Sequence, residues 1–187
     1  MIAQENTKAN MEKMPIFKEN KGAGMAKRTF KDKLTLGNGA DQIDLYYFGR
    51  GHTNGDAFVV FKALRVAHAG DIFAGKQVPL IDEANGGSML QISETLTKAH
   101  DGIKDVDTVI NGHMPTFTTW ADLKEYAEFN KDLVTWMQEQ LKAGKTPEQA
   151  AAEWKVPEKY KGYSPNVSAL FGGLAGRIQV LANEMKN

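Results

Sequence analysis

The apolar positions of this chain follow two different rhythms. Over residues 45–48 and 57–61 they form short runs bounded by Gly, Asn and Asp, which favours strands over helices. From Tyr46 to Phe73 the chain thus reads strand, tight loop, strand, short turn, strand, loop. Residues 29–36, with Phe30, Leu34 and Leu36 alternating, predict one strand before it. Gly37-Asn38-Gly39-Ala40-Asp41 is a hairpin signal, with 42–48 as the returning strand. Residues 45–48 are apolar on both faces, so the strand expects helices on one side and a second sheet on the other. A further strand is predicted at 107–110, and residues 1–3 read as the tail of another.

Elsewhere the spacing is helical. Residues 6–14 put Met11 and Met14 on one side, and Pro15 stops them. Residues 18–28, with Gly22, Gly24 and several lysines, predict an exposed loop. Residues 86–100 predict a helix with Met89, Ile92, Leu96 and Ala99 as a core stripe. A long helix over 119–142 carries Leu123, Tyr126, Ala127, Val134, Met137 and Leu141 on one face. Thr118 or Thr119 caps it, Asp122 sits in its first turn, and Gly144 ends it. Thr146-Pro147-Glu148 opens a short helix through Trp154. Residues 157–165 connect it to a last helix over 166–185, whose glycines and alanines permit close packing. The alternation of strands and helices predicts an α/β fold.

Composition narrows the function. A chain of 187 residues suffices for one domain with a sizeable core, and no repeat or linker divides it. Lys plus Arg and Asp plus Glu number 23 each, which argues against a general nucleic-acid or anionic-membrane binder. The absence of cysteine excludes disulfides, thiolate metal sites and a cysteine nucleophile. No run reaches membrane-spanning length, and the N-terminus lacks a signal-peptide pattern. The compartment is left open.

Three times a predicted strand delivers a His or Asp beside a Gly: His52 with Asp56, then Asp71, then His113. The glycines let the backbone turn sharply, and His and carboxylate suit zinc and related metals. Gly51-His52-Thr53-Asn54-Gly55-Asp56, Ala69-Gly70-Asp71-Ile72-Phe73 and Gly112-His113 resemble, in order and context, the second, third and fourth motifs of the metallo-β-lactamase-fold hydrolases. The first motif of that family, His-x-His-x-Asp-His, does not occur. The four histidines are His52, His68, His100 and His113, and no two lie two apart. The chain therefore resembles the C-terminal part of such a hydrolase. The resemblance implies a single domain over 1–187 lacking its N-terminal portion: a partial αββα sandwich with C-terminal helices.

The resemblance also implies a binuclear zinc site. His52 is then a ligand of the first metal, His113 of the second, and Asp71 a bridging or second-metal ligand and the catalytic residue. Metal-bound water, its pKa lowered to about 7, would attack an ester, lactone, thioester or lactam bond. With three ligands split between two metals, the chain alone is expected to bind metal poorly. Two other readings compete: an inactive fragment or subunit that needs the missing half, or a non-catalytic module holding one metal. Asp56 reads as loop-stabilising, His68 as a packed histidine, and His100 as a cation at a helix end. Met114 and Asn111 stand where the family often has Gly and Pro. His52, Asp71 and His113 are expected to converge, with His68 and His100 pointing elsewhere. Without the upstream sheet, one face of the strands at 45–48 and 57–61 is expected to stay open. A few hundred Å² left there represents on the order of 10 kcal/mol of unrealised burial, which predicts self-association through that face.

Overall fold

The computed structural model describes residues 1–115 and 117–186. It opens with β1 (Ile2–Gln4), α1 (Glu5–Lys13), α2 (Pro15–Glu19) and β2 (Arg28–Phe30). β1 and β2 pair in parallel as a small sheet of their own. Then come β3 (Lys33–Leu36), β4 (Ile43–Tyr46), β5 (Phe58–Phe61), β6 (Val66–Gly70), α3 (Ile92–Gly102), β7 (Thr108–Asn111) and β8 (Thr118–Thr119). The chain continues through α4 (Trp120–Lys142), α5 (Pro147–Glu153) and α6 (Gly173–Glu184). β3 to β8 form one six-stranded sheet in sequence order. All its pairs are antiparallel except β6–β7, which are joined by the α3 crossover that parallel neighbours require.

Register decides which side chains share a face. Asp44, Val60, Ala67 and Val109 lie in one row across the sheet, and Leu45, Val59, His68 and Ile110 in the next. Successive residues of a strand point to opposite faces, so the rows belong to different sides. The first side is buried: Phe58, Val60, Ala67, Ala69 and Val109 share one core with Ile92, Leu96 and Ala99 of α3 and Leu123, Tyr126 and Leu133 of α4. On the second side Leu34, Leu36, Ile43, Val59, Phe61, Val66 and Ile110 are only half-buried and His68 is exposed, while Leu45 is buried. The sheet thus carries helices on one face and a half-open apolar surface on the other. No helix among the described residues is long and apolar enough to cross a membrane.

Local signals set several boundaries. Thr119 and Asp122 form a reciprocal capping box at the start of α4, and Thr146 and Gln149 do the same for α5, with Pro147 at its first turn. Three expectations need correction, and the one for Pro15 holds and gains a second role. The strand expected over 29–36 is two strands in different sheets: Phe30 pairs with Gln4, and Leu34 with Leu45. Pro15 stops α1 because Met14 before it is extended, and it also opens α2 as its first residue. The helix expected from residue 86 starts at Ile92. Gly86 is left-handed, and the amides of Met89 and Leu90 donate to the Glu184 carboxylate of α6, which holds that stretch out of a helix. The last helix starts at Gly173, because Phe171, Gly172 and Gly173 all have positive φ.

Candidate functional site

His52 lies in the loop between β4 and β5. Its Nδ1 is 3.0 Å from the Leu80 carbonyl oxygen. A carbonyl only accepts, so Nδ1 donates to it, and in the neutral ring the lone pair is then on Nε2. The loop is held from several sides: the Asp82 amide donates to the His52 carbonyl at 2.8 Å, and the Asn6 side chain donates to the Asn54 carbonyl at 2.7 Å. Asp71 follows β6 directly. Gly70 before it has φ 57 and ψ −143, a conformation essentially reserved for glycine, and this redirects the chain so that Asp71 leaves the strand end. His113 follows β7, where the amides of Gly112 and His113 donate to the carbonyls of Phe73 and Ala74, both at 3.1 Å. Asn111 accepts from the Met114 amide at 2.7 Å and so closes the turn.

These three side chains meet. The Asp71 carboxylate stands between the two imidazoles, with Oδ1 3.1 Å from His113 Nε2 and Oδ2 3.6 Å from His52 Nε2. The His52 side chain is 13% exposed and that of His113 51%, so the cluster opens to solvent on the His113 side. The motif glycines serve the cluster differently than sharp turning implies. Of Gly51, Gly55, Gly70 and Gly112, only Gly70 has a positive φ. Gly112 instead provides space: a Cβ there would lie 2.4 Å from Asp71 Oδ1 and 2.9 Å from the Gly70 carbonyl oxygen.

Among the described residues, none of the remaining candidates makes a hydrogen bond or ion pair with the three, although Asp56 lies near enough to feel the charges of His52 and Asp71. Asp56 accepts from the Thr53 amide at 2.8 Å and from the Thr53 hydroxyl at 2.7 Å, and so braces the loop that carries His52. Burial pushes its carboxyl above the usual range, against the opposing effect of those two hydrogen bonds. His68 is exposed on the half-open face, in register with Val59 and Ile110. His100, in the last turn of α3, stacks on Trp120 with ring centroids 5.7 Å apart and its Nδ1 lies 3.2 Å from Asp101. Sequence reasoning missed Phe171, whose ring meets the His52 ring edge-on at 6.0 Å and 62°. The Gly172-Gly173 pair just after it, a strong helix breaker, was the available signal.

The donor types fit zinc, but the set is incomplete. Among the described residues no group of three or more His, Cys, Asp or Glu side chains is arranged to hold a metal ion. The three side chains converge, yet the histidines address different oxygens of one carboxylate, as two separate pairs. The residues present therefore do not by themselves fit a two-zinc centre.

This arrangement of sheet, crossover and strand-end loops is the metallo-β-lactamase fold. A metallo-beta-lactamase from Pontibacter korlensis matches with a TM-score of 0.53 and 18% identity, over 70% of this chain and 57% of that one. The DIM-1 metallo-beta-lactamase matches with a TM-score of 0.50 and 23% identity, over 68% and 56%. The stereoselective inverting sec-alkylsulfatase Pisa1 from Pseudomonas sp. matches with a TM-score of 0.63 and 12% identity, over 86% of this chain and 26% of its own. The chain thus spans little more than half the length of the lactamases it resembles. No protein-family model matches the chain, and no curated protein does.

Proposed function

We propose that this chain is the C-terminal part of a metal-dependent hydrolase of the metallo-β-lactamase kind. In this reading it contributes His52, Asp71 and His113 to a zinc centre whose other ligands come from a segment with the His-x-His-x-Asp-His pattern. The observation that carries the proposal is the Asp71 carboxylate within 3.1 and 3.6 Å of the two Nε2 atoms, with His52 Nδ1 held by the Leu80 carbonyl. An outer hydrogen bond that fixes the ring and tautomer is the usual support of a metal-binding histidine. Bound zinc would supply a hydroxide at neutral pH. The three residues alone carry no reaction step. The substrate is a small molecule with an ester, lactone, thioester or lactam bond, and the likeness to an alkylsulfatase over most of the chain adds a sulfate ester.

The ligand count and the half-open sheet face favour a second reading, an inactive subunit or fragment that associates through that face until completed. One experiment separates the two. Residues 1–187 are titrated with zinc by calorimetry alone, and again with the ligand-bearing segment supplied in trans. Weak uptake alone, with two tightly held zinc ions and hydrolysis of a nitrophenyl ester or sulfate after complementation, supports the hydrolase. His52→Ala, Asp71→Ala and His113→Ala should each abolish the gain. Complementation that leaves zinc uptake and hydrolysis unchanged would overturn it.

A further inference from the structure

Arg177 of α6 is 1% exposed and stands among the largest fully buried side chains. No carboxylate pairs with it among the described residues. Its Nε donates to the Pro79 carbonyl at 2.9 Å, and its Nη1 donates to the carbonyls of Gly173 at 2.7 Å, Ser168 at 3.3 Å and Leu170. Nη2 meets no acceptor among the described residues. A buried guanidinium without a counter-charge is costly, and an apolar side chain of similar volume would be tolerated better if filling space were its only task.

The two segments that Arg177 ties together both touch His52. Pro79 precedes Leu80, whose carbonyl takes the His52 Nδ1 proton. The stretch 168–173 carries Phe171, whose ring lies edge-on against the His52 imidazole. Phe171 is 46% exposed, so core burial does not hold it. Its backbone is left-handed, at φ 54 and ψ 36, which is uncommon for a bulky residue and persists only where surroundings impose it. Gly176, one residue before Arg177, leaves the room this needs: a Cβ there would lie 2.1 Å from the Phe171 carbonyl oxygen.

We infer that Arg177 is a positioning residue for His52, fixing the imidazole from two sides. Through Pro79 it anchors the carbonyl that selects the Nδ1–H tautomer. Through residues 168–173 it presses Phe171 against the ring, so that an apolar wall bounds the His52 side of the cluster. Among the described residues, Arg177 makes no hydrogen bond or ion pair with Asp71 or His113. The inference takes from the proposed function only that His52 belongs to the site.

The test reads His52 directly, in the metal-free full chain labelled with nitrogen-15 in its histidines, at a pH where the ring is neutral. Long-range proton–nitrogen spectra of the wild type should show a predominantly Nδ1-protonated His52 with ring protons displaced by the Phe171 ring current. Phe171→Leu should remove the displacement and leave the tautomer. Arg177→Met, similar in length, should lose both, and Arg177→Lys should restore neither, because the ammonium lacks the planar fork. A folded Arg177→Met protein with wild-type His52 signals overturns the inference. If that variant does not fold, Phe171→Leu and Gly176→Ala decide, since the alanine pushes on Phe171 from outside the guanidinium; unchanged His52 signals in both overturn it. Zinc is absent throughout. A failure of zinc binding in the complemented protein therefore counts against the proposed function and leaves this inference standing.

Discussion

Gly112→Ala tests whether the cluster depends on a missing methyl group. Gly112 has an ordinary backbone conformation, so alanine meets no dihedral barrier there. The obstacle is space. The added Cβ would sit 2.4 Å from Asp71 Oδ1, 2.9 Å from the Gly70 oxygen and 3.0 Å from the Gly70 carbonyl carbon. Separations under 3.0 Å essentially never occur for real Cβ atoms, so the carboxylate has to retreat by at least about 0.6 Å. The Gly70 backbone cannot give way as easily, because it lies at the end of β6, next to β7. The retreat lengthens the 3.1 Å contact with His113 and moves the one group shared by both imidazoles. Overpacking of this kind costs about 1–3 kcal/mol, and the stiffer unfolded chain returns about 0.4–1 kcal/mol. The net loss, up to about 2.6 kcal/mol, should lower the melting temperature by up to about 10 °C. In the complemented protein, zinc affinity should fall about 10–100-fold, the usual effect of disturbing a group that orients a ligand. Calorimetry gives the affinity and a thermal melt the stability. An alanine variant that melts no lower than wild type and takes up zinc equally well would refute the packing argument.

Three further outcomes are expected. Phe61→Lys on the half-open face should shift a concentration-dependent dimer to monomer by sedimentation, and a wild type that stays monomeric at every concentration would remove self-association. Thr119→Ala, which breaks the box with Asp122 at the start of α4, should cost about 1 kcal/mol in a denaturant melt, while Thr119→Ser should cost little. Acid should destabilise the protein through Asp44 and Asp122. Burial alone would raise both carboxyls; hydrogen bonds from Thr35, Gln42 and Tyr46 to Asp44, and from Lys76 and Thr119 to Asp122, outweigh it and hold them below the usual range. The unfolded chain then takes up protons first. The stabilisation is present above pH of about 4 and is lost as pH falls through the lower folded values. Asp44→Asn should flatten that limb of the stability curve, and an unchanged limb would contradict the assignment.

What local spacing can encode, the sequence determined. The strands around Leu45 and Val60, the caps at Thr119 and Thr146, and the delivery of His52, Asp71 and His113 to loops after short apolar runs all rest on neighbours a few residues apart. The tertiary structure decided what depends on distant partners. The region before Ile92 is held out of a helix by Glu184, 95 residues away from Met89. Residues 29–36 divide because Phe30 and Leu34 find different strands to pair with. Gly112 reads as a turn residue in one dimension, and only the approach of Asp71 in three shows that its missing side chain is what matters. Arg177 leaves no periodic trace, since its partner Pro79 lies 98 residues earlier. A hydrogen bond or a steric gap between such positions is created by the packing of the sheet against α3, α4 and α6, and no spacing rule along the chain records it.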